Sequence, residues 1–69
     1  MTSIEMMALN AKVKFANAYI QAVIERDGKI DSTEVYKVVT REMRKHVIIV
    51  GQELAEADGL GYVRIKGVA

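Results

Sequence analysis

The sequence predicts a mostly α-helical fold: an antiparallel hairpin of two long helices followed by a short C-terminal β-strand or extended tail, assembled as a dimer. Three observations predict it. One strong break, Asp27-Gly28-Lys29-Ile30-Asp31-Ser32-Thr33-Glu34, separates two long apolar-rich segments. Each segment repeats apolar residues at three-four spacing, the period of one helix face. The first segment carries two such faces, in a chain of only 69 residues that is 51% hydrophobic. A small winged-helix-like α+β arrangement is the alternative. Either way the chain reads as one domain: helix over about 2–26, turn 27–31, helix over about 32–58 and tail 60–67.

The first helix opens on a capping box. Thr2 stands at the N-cap with Glu5 three positions on, and Met1 and Met6 bracket them as a hydrophobic staple. At about 100° per residue its side chains sort into stripes. Met6, Leu9, Val13, Ala16, Ile20 and Val23 make a seam of coiled-coil type, assigned to self-association. Ile4, Ala8, Ala11, Phe15, Ala18, Tyr19 and Ala22 make a second apolar stripe, mostly of small side chains. Ser3, Asn10, Lys14, Asn17, Gln21 and Glu25 are polar. A helix with two apolar faces must be covered twice. The second helix supplies one cover; another subunit supplies the other.

The break has its own chemistry. Gly28 accommodates the positive φ that ends a helix. Asp31 caps the next helix with Glu34 at its third position, and Ile30 and Val35 form the staple. The run Asp27-Gly28-Lys29-Ile30-Asp31, with Glu34, resembles the second half of an EF-hand calcium loop. Val23 occupies the first ligand position and has no oxygen to give, so no metal is expected here.

After the cap, Tyr36, Val39, Met43, Val47, Val50, Leu54 and Ala57 share one helical face, which favours a single helix ending at Gly59, with Leu60 as its closing contact. Two other readings compete. The β-branched run Val47-Ile48-Ile49-Val50 before Gly51 also reads as a strand, with a helix to about Arg44 before it and a short helix 52–58 after it. A break near Val39-Thr40 would instead make a helix-turn-helix. In the tail, Tyr62-Val63-Arg64-Ile65-Lys66 alternates as a strand does, and its partner is residues 29–30, residues 47–50 or the same tail of another subunit.

Function is bounded mainly by exclusion. There is no Cys, one His and a net charge of +1. His46 is expected as a half-buried packing residue at the edge of the apolar face, and neither Ser lies in a nucleophile–base pattern, so the chain reads as a non-enzyme without cofactor or metal. No stretch is long and apolar enough for a membrane span, no signal peptide is evident, and the expected location is cytoplasmic. Small proteins of this kind are often accessory or regulatory and often derive from phages or mobile elements. The favoured partners are a second copy and a protein target. Nucleic acid is the alternative, through the basic stripe Lys37, Arg41, Arg44 and Lys45 with Arg64 and Lys66 on a wing. Residues 37–46 are net positive and 47–58 net negative, a polarity that would set register between two copies.

Overall fold

The computed structural model describes residues 1–67. It is 64% helical with one small antiparallel sheet. Helix α1 runs Ser3–Asp27, α2 Ser32–Val38, α3 Arg41–Arg44 and α4 Gln52–Asp58; strands β1 (Val47–Ile49) and β2 (Val63–Ile65) flank α4. Helix α1 begins and ends where its local chemistry requires. The Thr2 hydroxyl accepts from the Glu5 N–H at 3.2 Å and donates to the Glu5 carboxylate at 3.0 Å. At the other end Gly28 turns left-handed at φ 81° and donates to the Ile24 carbonyl at 2.7 Å. Asp31 caps α2 by accepting from the Glu34 N–H at 2.9 Å.

The long second helix, and with it the hairpin of two long helices, does not form. Helix α2 stops after seven residues, because Val39 is extended (φ −112°, ψ 91°) and Thr40 caps a new helix through the Met43 N–H. Val38-Val39-Thr40 is β-branched throughout, which lowers helix propensity where a competing cap is on hand. The bend lets Val39 become fully buried. Val47–Ile49 then takes the strand that its β-branched composition favours, and Gly51 opens α4 in extended conformation. The shared apolar face of a continuous helix is thereby dispersed: Val39, Met43 and Val47 are buried, whereas Tyr36, Leu54 and Ala57 are exposed. Leu60 is also exposed after the αL cap at Gly59, so it does not close the helix end.

Strand β2 pairs with β1 in the register Val47↔Ile65, Ile48↔Arg64, Ile49↔Val63. Val50 and Lys66 extend the ladder by donating to Tyr62 and His46 carbonyls at 2.9 and 2.8 Å. The strands are joined through α4, not by a tight turn; Arg64 lies within β2 and Lys66 directly after it.

One core holds these pieces. Leu9, Val13, Ala16 and Ile20 of α1 meet Val39, Met43, Val47 and Val63, with Ile24, Ile30, Val35, Val38, Tyr62 and Ile65 packed around them. The seam assigned to self-association is therefore spent inside the chain: Leu9, Val13, Ala16, Ile20 and Val23 are buried and Met6 is half-buried. The physical reason is proximity. A helical face is covered first by whatever the same chain can fold onto it, since that contact costs no association entropy.

Asn17, placed by spacing on the polar face, joins α1 to the sheet. Its Oδ1 accepts from the N–H groups of Tyr62 (2.9 Å) and Val63 (2.7 Å), and its Nδ2 donates to the Val63 carbonyl (3.0 Å). The outward edge of β2 is thus satisfied by a side chain instead of a third strand. Gly61 makes the approach feasible: it sits at φ 92°, and a Cβ there would lie 2.9 Å from Asn17 Nδ2.

Candidate protein-interaction surface

With one face of α1 covered by α2 and β2, the other is bare. Ile4, Ala8, Ala11, Phe15, Ala18 and Ala22 follow a strict alternation of four and three, and every one of them is exposed. Ile4 is 80% and Phe15 65% accessible, with Met7 at 71% beside them. Tyr19, the remaining residue of that predicted stripe, is half-buried. From Ile4 to Ala22 the row spans about 27 Å at 1.5 Å per residue. Leaving such a row in water forgoes about 25 cal/mol for each Å² of apolar surface. Its small residues let another backbone come close, and Ile4 and Phe15 are its large projections.

The row borders a groove. Ala11, Phe15, Val38 and Met43 form an apolar floor, Lys12, Lys37 and Thr40 complete the walls, and the volume is about 420 Å³. No carboxylate lines it. A smaller hollow of about 190 Å³ lies toward the N-terminus, between Met1, Glu5, Ala8, Leu9 and Lys12 of one wall and Glu42, Met43 and His46 of the other. His46 is exposed there, not half-buried as expected, because the chain turns into β1 directly after it.

The basic stripe is divided by the bend at Val39-Thr40. Lys37 lies in the last turn of α2, whereas Arg41 and Arg44 lie on α3. Arg44 stacks over the Tyr36 ring at 4.5 Å, and Lys45 pairs with Glu42 at 3.2 Å. Lys66 is exposed. Arg64 is committed to structure: its guanidinium reaches both Asp58 oxygens (2.6 and 2.7 Å) and its Nε donates to the Gly61 carbonyl. This pair is only 18% and 29% exposed, the best-shielded ion pair among the described residues.

The N–H of Leu60, and then Arg64, hold the Asp58 carboxyl below its ordinary value of 3.8. The unfolded chain binds this proton more readily, so the contribution to stability is complete above pH 3.8 and disappears as pH falls through the depressed folded value. Acid titration followed by circular dichroism should show this loss, and Asp58→Asn should flatten the acid limb below about pH 4. An unchanged acid limb would show that the pair is energetically idle.

Ser3 and Ser32 stand at helix starts remote in sequence from His46, and no cluster of three or more metal-ligating side chains occurs among the described residues. No helix among them is long and apolar enough to cross a membrane. No family model, curated protein or solved structure matches the chain.

Proposed function

We propose that this chain is a small accessory or regulatory protein that acts by contact and not by catalysis, associating with a second copy and binding a protein target. The observation behind this reading is the bare outer face of α1, with Ile4 and Phe15 among its most exposed side chains. A row at coiled-coil spacing on the helix that also carries the core is a rigid platform for a partner.

The test is mass in solution across a concentration series. The wild-type chain is expected to be dimeric at micromolar concentration. Phe15→Glu should weaken association by about 10- to 100-fold, the loss of roughly 1.5–3 kcal/mol of side-chain burial. Its helical circular dichroism should persist, since the residue takes no part in the core. A wild-type chain that stays monomeric throughout would remove this reading.

A second reading, a dimeric DNA-binding regulator, draws on Lys37 and Arg41, which have no carboxylate partner among the described residues. Capture from lysate with and without nuclease separates it from protein binding. A salt-sensitive duplex complex weakened by Arg41→Ala would favour it.

A further inference from the structure

Two surfaces of this chain complement each other in charge and in apolar content. The first is the groove with its apolar floor of Ala11, Phe15, Val38 and Met43 and its two cations, Lys12 and Lys37. The second is the outer side of α4. Ala55 is the only buried residue of that helix, which is fastened to its own chain at that residue and at its C-terminal end through the Asp58–Arg64 pair. Steps of about 100° put Glu53, Leu54, Glu56 and Ala57 on the side away from Ala55. All four are exposed, with Leu54 at 51%. Neither Glu53 nor Glu56 has a cationic partner among the described residues, and Lys12 and Lys37 have no anionic one. A helix face acidic along one edge and apolar along the other thus coexists with an unfilled basic and apolar groove.

We propose that α4 of a second copy fills this groove, with Leu54 seated beside Phe15 and the carboxylates of Glu53 and Glu56 facing Lys12 and Lys37. The proposal rests on the reading that the chain self-associates, and it names the element that does so. Exchanged about a two-fold axis, the contact is made twice in each dimer, which closes the assembly. Charge fixes which surfaces meet, because like charges brought together across an interface are strongly disfavoured. Burial of Leu54 against Phe15 supplies the attraction.

The test is a pair of charge-reversed variants, Lys12→Glu/Lys37→Glu and Glu53→Lys/Glu56→Lys, measured by sedimentation against wild type. All four positions are exposed, so each variant should keep the wild-type circular dichroism. Each variant alone should associate about 10- to 100-fold more weakly than wild type, because groove and helix then carry the same sign. Mixed one to one, the two should regain the dimer mass, since both contacts of the mixed dimer are complementary again. If each variant alone keeps the wild-type mass, or if the mixture stays monomeric, the α4 assignment is overturned while a dimeric wild type still supports self-association. Dimers lost on Phe15→Glu but indifferent to both reversals would identify α1 packing on α1 as the contact. A monomeric wild type would overturn both proposals.

Discussion

Replacing Asn17 with Ala is expected to destabilise the fold by about 2–3 kcal/mol, despite making α1 a better helix. The gain in helix propensity is at most about 0.7 kcal/mol. Against it stand the hydrogen bonds to the Tyr62 and Val63 N–H groups and the Val63 carbonyl. A buried partner left unsatisfied costs roughly 1–3 kcal/mol, and here the site is part-buried, so water offsets some of that loss. The remainder is still a large share of the roughly 5–15 kcal/mol that holds a typical domain. Urea unfolding should show a lower midpoint at unchanged slope. Asn17→Asp is the informative companion. It keeps the acceptor for both N–H groups, loses the donor, and sets a carboxylate oxygen against the Val63 carbonyl. Wild-type stability in Asn17→Ala would mean that β2 is held by its apolar face alone.

Ile20→Ala should cost about 2–5 kcal/mol, the range for truncating a fully buried aliphatic side chain and leaving a cavity. Ile20 is 1% exposed and lies in the core with Val39 and Val63. Thermal or urea unfolding reads the loss directly. What folded protein remains should associate as wild type does, because Ile20 lies on the covered face of α1. Phe15→Glu predicts the reverse, weakened association at near-constant stability. Together the two variants separate the faces of one helix by two observables. Loss of association in folded Ile20→Ala would place the contact on the inner face after all.

The inner and outer faces are both legible in the sequence, and so is their spacing. Their assignment is not. Leu9, Val13, Ala16, Ile20 and Val23 make a coiled-coil seam in isolation, yet they are the intramolecular core. The Ala-rich stripe reads as the tighter packing face and is the one left open. Periodicity reports that a face is apolar; it does not report who covers it. The role of Asn17 is hidden from the sequence for a related reason. Its only sequence signal is a modest helix former in mid-helix beside the core seam, and its partners lie 45 and 46 residues away. Arg64 alternates onto the polar side of its strand as a wing residue would, but Asp58 and the Gly61 carbonyl hold it.

What the sequence determined by itself is most of what acts within one helical turn or one strand, the Thr40 cap of α3 excepted. Thr2 and Gly28 bound α1, Asp31 starts α2, Gly59 ends α4, and the alternation about Val63 and Ile65 makes a strand. Caps and left-handed glycines work through hydrogen bonds spanning three or four residues, so local composition settles them. Only the tertiary structure decided the middle of the second segment. Val47-Ile48-Ile49-Val50 has the β-branched composition of a strand but sits in phase with a helical face, and the strand is realised through its ladder to β2, which Asn17 in turn holds against α1. That outcome depends on a partner far along the chain, and no local pattern encodes that partner's position.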